Sequence, residues 1–313
     1  MKAIVTGGLG HIGSRLIREL PNFFPNIEII IIDNLSTQRF VSLFDLPAAA
    51  SYLFIEGDVT QIDLKSVFHD ANVVVHLAAL TDPGASFDHP EAMERVNFNA
   101  TRCVAEACIA AGIPLIHASS TSVYGTRNAT VDEDCGLEDI SPQSPYAEIK
   151  RKEELLIAEM CANAGLKAMS FRFGTIFGTS PGMRFHTAVN KFCWQAAMGH
   201  PLTVWKTAYD QKRPYLDLSD AVRAIAFIIQ NKLFDGCIYN AVSNNISVAD
   251  VVNTIRHHIP KLTVDLVESR IMNSLSYEVL NSRLTRQGFL FTGNLADAVK
   301  STIELFPRRQ CTP

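Results

Sequence analysis

The sequence predicts an α/β fold, a doubly wound parallel sheet with a smaller, discontinuous C-terminal lobe over the carboxyl ends of its strands. Three observations carry this. Short apolar runs alternate with helical patterns from Ala3 to about Gly174. A glycine-rich turn, Thr6-Gly7-Gly8-Leu9-Gly10-His11-Ile12-Gly13, joins the first run to the first helical pattern. After Arg172 the chain turns rich in Gly, Thr, Ser and Pro as far as Met183, which marks a crossing into a second unit. The expected division assigns residues 1–174 and about 212–245 to the sheet domain, and about 175–211 and 246–313 to the lobe. A chain of 313 residues, 47% of them hydrophobic, can bury cores for both.

The formal net charge is −4 and no basic run reaches five residues, so no general attraction to nucleic acid or an anionic membrane is expected. Seven irregularly spaced cysteines contain no CxxC pair, which argues against both a disulfide framework and a zinc site. His257-His258 is expected as a positive helix end, because adjacent helical residues face different ways and make a poor metal pair. No metal is expected. Met1 leads straight into a strand, and apolar runs such as Ile29–Ile32 are too short to cross a bilayer. The chain reads as cytosolic and reduced.

Ala3-Ile4-Val5 is the first strand and Ser14–Leu20 the first helical pattern. Between them Gly7, Gly10 and Gly13 let the backbone turn sharply and approach a pyrophosphate, whose charge the amides around His11 and Ile12 and the helix N-terminus can hold. Glu28–Ile32 is a second strand and ends at Asp33-Asn34. An acidic residue about 20 positions past the last glycine accepts the ribose hydroxyls of the adenosine and repels a 2′-phosphate, so NAD is favoured over NADP. Asp-Asn is also ordinary turn chemistry. Tyr52–Glu56 is a third strand, followed by Gly57-Asp58-Val59. Val73–Ala79 is a buried fourth, with His76 a strand residue and Leu77-Ala78-Ala79 small enough at its end for a nicotinamide ribose and diphosphate to lie against the backbone. Pro90–Ala111 is a long helical pattern.

Ile113-Pro114-Leu115-Ile116 leads into His117-Ala118-Ser119-Ser120-Thr121-Ser122-Val123-Tyr124-Gly125, which places hydroxyls at the carboxyl end of a strand, where open α/β sheets bind ligands. Ser144-Pro145-Tyr146-Ala147-Glu148-Ile149-Lys150 then starts a helix with serine as N-cap and proline at the first position. Tyr146 and Lys150 share a helix face, and an ammonium beside a phenol favours the phenolate. Such a pair can bring a tyrosine into the working range of a general acid/base.

Serine, tyrosine and lysine in this order, with the SPYxxxK context and the TGxxGxxG loop, resemble the short-chain dehydrogenase/reductase superfamily, specifically its extended, nucleotide-sugar-modifying branch. The likeness is strongest up to about Asp220. It implies a Rossmann-type fold, bound NAD, a homodimer and catalytic Ser120, Tyr146 and Lys150. Ser120 would hydrogen-bond the oxygen at the reacting carbon, Tyr146 exchange the proton, and Lys150 hold the cofactor ribose; Ser119 and Ser122 are spare hydroxyls nearby. Asp58-Val59 resembles the adenine-contacting turn, although Asp58 equally suits a helix cap. Asn97, ahead of Asn99, resembles the helix asparagine that steadies the active-site backbone.

The second half departs further. Lys167–Arg172 is a strand. Thr175 stands where galactose-type 4-epimerases carry asparagine, which leaves the sugar open. A helix is expected from Arg184, and Asn190 within it resembles a diphosphate contact. Arg213, in Lys212-Arg213-Pro214-Tyr215-Leu216-Asp217, resembles the arginine that pairs with the sugar-nucleotide diphosphate by its bidentate fork. Arg270 is a candidate second contact. Cys237–Val242 is expected to return to the main sheet. Ser247–His258 and Asn294–Leu305 are helical, and Pro307–Pro313 is a tail.

The neighbours of Ser120 exclude some relatives: Thr121 and Ser122 supply neither the carboxyl acids of 4,6-dehydratases and uronate decarboxylases nor the cysteine of C3/C5 epimerases. The expectation is an NAD-dependent nucleotide-sugar epimerase acting at C4 through a transient 4-keto sugar. A single-pass dehydrogenase or 4-keto reductase with the same residues is the nearest rival, and a non-catalytic dinucleotide-binding protein a more distant one.

Overall fold

The computed structural model describes residues 1–81, 90–125, 128–268 and 276–307. In chain order the first half contains β1 (Lys2–Thr6), α1 (His11–Phe23), β2 (Glu28–Asp33), β3 (Ser51–Glu56), α2 (Leu64–Phe68), β4 (Val73–His76), α3 (Pro90–Ala111), β5 (Leu115–Ser120), β6 (Thr130–Val131) and α4 (Pro145–Asn163). The second half contains β7 (Ala168–Phe173), β8 (Thr175–Phe177), α5 (Ala188–Ala197), β9 (Leu202–Trp205), β10 (Lys212–Asp217), α6 (Leu218–Asn231), β11 (Ile238–Ala241), β12 (Asn244–Ser247), α7 (Val248–His258), β13 (Val264–Val267), β14 (Glu278–Val279), α8 (Ser282–Arg286) and α9 (Leu295–Glu304).

Among the described residues, seven strands form one all-parallel sheet in the order β11-β7-β5-β4-β1-β2-β3. Alternate side chains sort into two layers, as the strand period of two requires. Ala3, Val5, Ile29, Ile31, Val73 and Val75 face Leu16, Ile17 and Leu20 of α1 and Val222 and Ile225 of α6. Ile4, Ile30, Ile32 and Val74 face the opposite way, onto Phe68 of α2, Val104 and Cys108 of α3 and Ile157 of α4. Burial on both faces explains why these strands read as unbroken apolar runs in the sequence. Pro21 inside α1 has no N–H for the carbonyl of Ile17, and the Tyr52 hydroxyl supplies the missing donor at 3.2 Å.

The strand of residues 212–217 does not join this sheet; β10 pairs with β8 and β12, while β11 does enter it beside β7. A separate apolar cluster lies under β9, β10, α5, α7 and α9, with Val189, Phe192, Val204, Tyr215, Val251, Ile255 and Val299 at its centre. The helix expected from Arg184 begins instead at Ala188, after Thr187 in extended conformation. Ser247 and Asp250 form a full capping box on α7, and His257 and His258 lie in its last turn. No described helix is long and apolar enough to cross a membrane.

Candidate active site

The glycine loop lies between β1 and α1. Gly7 has φ +66°, and a side chain there would strike the backbone of Leu77 and Ala78, at 2.7 and 2.6 Å. At Gly13 a side chain would lie 2.5 Å from the Gly7 carbonyl. Gly7 is therefore needed for the loop to pass the end of β4, and Gly13 for α1 to pack on the loop. Helix α1 starts after Gly10 with no side-chain cap, so the first-turn amides of His11, Ile12 and Gly13 face the loop. Asp33 stands at the tip of β2, where one carboxylate oxygen accepts from Leu9 N at 3.1 Å and the other from Leu35 N at 3.0 Å. A carboxylate that accepts two amides keeps lone pairs for a diol, and a bare glycine cradle below it fits a dinucleotide.

Asp58 caps neither α2 nor any other helix; Asp63 does that, by accepting from Ser66 N. Asp58 instead accepts from the Thr60 amide and hydroxyl at 2.8 and 2.7 Å, and Asn34 also bonds it. Burial pushes its carboxyl up, yet these bonds outweigh it and the pKa is lowered. Val59 is buried in the core. Leu77, Ala78 and Ala79 follow β4, and Asn97 on α3 clips the next residue from both sides, accepting from Leu80 N at 2.8 Å and donating to its carbonyl at 2.9 Å. His76 is fully inside, between the hydroxyls of Thr6 at 2.7 Å and Thr101 at 3.3 Å.

Strand β5 runs through Ser120 rather than stopping at Ile116, and the Ser120 hydroxyl accepts from Ser122 N and Oγ at 3.2 and 2.9 Å. Ser119 is not spare. Its hydroxyl donates to Glu154 at 2.6 Å, and Glu154 is gripped by Arg172 through two bonds of 2.8 and 2.7 Å. Ser144 caps α4 by accepting from Ala147 N at 3.2 Å, which sets half-buried Tyr146 in the first turn and buried Lys150 one turn deeper.

One expectation needs correction here. The Lys150 ammonium lies 6.0 Å from the Tyr146 ring centroid but 2.8 Å from a carboxylate oxygen of Glu153. Burial raises the Tyr146 pKa above the ordinary tyrosine value; Lys150 pulls it down and is outweighed. For Lys150 burial works the other way, yet Glu153 and Tyr146 together raise its pKa.

Residues 178–190 fold over the glycine loop. Ser180 Oγ is 2.8 Å from His11 Nδ1, and Gly182 N donates to Ser14 Oγ at 2.9 Å. A side chain on Gly182 would fall 2.3 Å from the Leu9 carbonyl. Burial, then Arg184 and Arg39, lower the His11 pKa to about 3. Asn190, expected to face a diphosphate, is fully buried instead: it accepts from Gly178 N, and its Nδ2 lies 3.4 Å from the Gly178 carbonyl, 3.2 Å from that of Arg184 and 3.4 Å from His11 Nε2. It braces the loop. Thr175 opens β8, half-buried. Arg213 on β10 donates to Gln211 at 2.7 Å and lies over the Tyr277 ring at 5.4 Å. Arg270 lies outside the described residues.

Sequence reading missed three groups at this site. Glu153 sits three residues past Lys150, a helical-face spacing that could have revealed it. His117 on β5 and Arg184, whose charge acts on both His11 and Tyr146, carry no local signal. The described residues contain no cluster suited to a metal ion.

A glycine cradle, an acidic strand tip and a Ser/Tyr/Lys set at the carboxyl edge of one parallel sheet define the class of dinucleotide-binding α/β proteins. The model of the NAD dependent epimerase/dehydratase family matches residues 3–241, and the chain belongs to that family. It is 31% identical over 239 residues to the uncharacterized UDP-glucose epimerase YtcB of Bacillus subtilis, covering 73% of this chain and 72% of that one. A UDP-glucose 4-epimerase of Azospirillum brasilense is 28% identical over 278 residues, covering 81% and 76%. The solved structure of MoeE5 in complex with UDP-glucuronic acid and NAD superposes with a TM-score of 0.83 at 27% identity, covering 97% and 98%. Against two trifunctional dehydratase/epimerase/reductase proteins of Arabidopsis thaliana the chain is 24% and 25% identical and spans about half their length, 47% and 46%.

Proposed function

We propose that this chain is an NAD-dependent isomerase that epimerises a nucleotide-diphosphate hexose, at C4. The observation that supports the reading most is that Ser120 closes β5 of the sheet whose β1 and β2 lead to the glycine cradle and Asp33, with Tyr146 and Lys150 in the first two turns of α4, which is bonded to β5 through Glu153 and His117. The relatives add support, since a 4-epimerase and a UDP-sugar- and NAD-bound protein are among them. NAD, when bound, supplies a reversible hydride acceptor. The residues of the chain do the rest. Tyr146 takes the proton of the C4 hydroxyl and gives it back to the same oxygen once hydride has returned to the other face of the 4-keto carbon; Ser120 donates a hydrogen bond to the developing carbonyl oxygen; Arg213 and Arg270 hold the diphosphate. Asp33 selects NAD.

The same reading includes a cytoplasmic homodimer in carbohydrate biosynthesis. Its sheet domain comprises residues 1–174 and about 212–245, supported by the entry of β11 into the main sheet although β10 pairs outside it, and its sugar-nucleotide lobe comprises about 175–211 and 246–313, supported by the separate core under α5, α7 and α9.

The test is the fate of a C4 label. Nucleotide sugar deuterated at C4 should yield epimer that keeps its deuterium, because hydride leaves and returns within one complex. Deuterated NADH accumulating free in proportion to product would make the protein a single-pass dehydrogenase.

A further inference from the structure

Between β2 and the short 3₁₀ turn Phe40–Leu43 stands an arginine whose side chain the fold leaves short of a partner. Nη1 of Arg39 is buried and has no hydrogen-bond partner. Burial lowers the pKa of this guanidinium, and the Asp33 carboxylate offsets only part of the effect. A buried donor left unpaired opposes folding, so a native protein that keeps one calls for an explanation.

The backbone around Arg39 is built to hold it. Leu35 and Gln38 have φ +55° and +51°, left-handed values that strain a residue with a side chain and that cluster at binding sites. Gln38 N donates to the Leu35 carbonyl at 2.8 Å, and the hydroxyl of buried Ser42 donates to the Leu9 carbonyl at 2.9 Å, which ties the segment after Asp33 to the glycine loop. Arg18 on α1 donates to the carbonyls of Ser14 and Ser42, both at 2.9 Å, and fixes the same turn to the helix. The Arg39 charge acts on Asp33 at the tip of β2 and, after burial and Arg184, on His11 in the first turn of α1.

We infer that Arg39 holds the adenosine-side phosphate of the bound dinucleotide, the group that lies between the ribose diol at Asp33 and the first-turn amides of α1. A phosphate oxygen gives the guanidinium the charge-assisted bond that the protein does not. That phosphate is common to NAD and NADP, so Arg39 sets the affinity for both and leaves the choice between them to Asp33. The inference rests on the cradle taking NAD, and not on what then happens to the sugar.

Calorimetry with NAD and NADP, alongside thermal unfolding of the cofactor-free protein, tests it. Arg39→Met keeps the aliphatic stem and removes the charge. NAD should then bind about tenfold more weakly or worse, as loss of one charged hydrogen bond implies. NADP should weaken by the same factor, and the salt dependence of binding should flatten. Arg39→Lys, which keeps the charge without the fork, should recover part of the affinity. Cofactor-free Arg39→Met should unfold at or above the wild-type temperature, because it loses an unpaired buried group. A lower midpoint or a failure to fold would make Arg39 a structural support; unchanged NAD affinity would remove it from the cradle; a loss confined to NADP would place it at the 2′-phosphate. Each of these overturns the proposal. Wild-type protein that binds neither dinucleotide would overturn the cofactor reading along with it.

Discussion

Arg172 on β7 grips Glu154 on α4 through two parallel bonds of 2.8 and 2.7 Å, with the carboxylate fully buried and the guanidinium nearly so. Removing Arg172 leaves the buried Glu154 carboxylate with only Arg151 at 3.1 Å and Ser119 at 2.6 Å to compensate it. Arg172→Ala should lower the unfolding free energy by about 3–5 kcal/mol. Urea denaturation measures this, and a loss under about 1 kcal/mol would show that the pair contributes no more than a surface bridge.

Acid should loosen the fold through its buried histidines. Burial holds His76 neutral by lowering its pKa to about 3, with smaller pushes from His117 and Lys150, and His11 is lowered similarly. Between pH 6.5 and 3 the unfolded chain takes up protons that the folded one refuses. Stability should therefore fall with pH in that window, by up to about 1.4 kcal/mol per unit per histidine. His76→Gln should flatten the slope of unfolding free energy against pH; an unchanged slope would exclude His76 as its source.

On the proposed reading, cofactor choice depends on Asp33. Its carboxylate, fixed by the Leu9 and Leu35 amides, should make NAD bind at least tenfold tighter than NADP, a difference of about 1.4 kcal/mol. Calorimetry with both dinucleotides decides it, and equal affinities would remove Asp33 from the role.

Gly182→Ala tests the loop over the glycine cradle. The added methyl would meet the Leu9 and Gly10 carbonyls at 2.3 and 2.5 Å, so the cradle must give. Overpacking of this kind costs about 1–3 kcal/mol. A lower thermal midpoint and weaker NAD binding are expected together; weakened stability with unaltered binding would mean that the loop alone yields.

Tyr146→Phe removes one hydroxyl from a half-buried side chain and should leave the fold and NAD binding intact. Turnover should fall by roughly 10² to 10⁴. Residual activity near wild type would move the proton transfer to another group.

What was legible in the sequence was what local physics writes there. Ser144-Pro145 and Ser247 with Asp250 announce helix starts within four residues, and the glycine loop between a strand and a helix predicts both neighbours. The unbroken apolar run of β2 announced a strand. The bracing of the loop by Asn190 was not legible, because its partners at Gly178, Arg184 and His11 come from separate turns of chain that only the fold assembles. The Tyr146–Lys150 spacing was visible, and so was the i,i+3 spacing of Lys150 and Glu153; that both groups are buried and that Glu153 also meets His117 was not, since that depends on the depth of α4 against β5. The pairing of β10 with β12 and β8 was hidden for the same reason: register between distant strands leaves no local mark.

The strand order has a consequence in time. On the ribosome, six strands of the main sheet are made by residue 173, yet the flank of β7 stays open until residues 238–241 arrive to cover it. Its unpaired amides and carbonyls are then a template for any passing strand. Synthesis, more than final stability, sets the moment of greatest risk for this chain, and a pause in translation between β7 and β11 would be the surest way to make it aggregate.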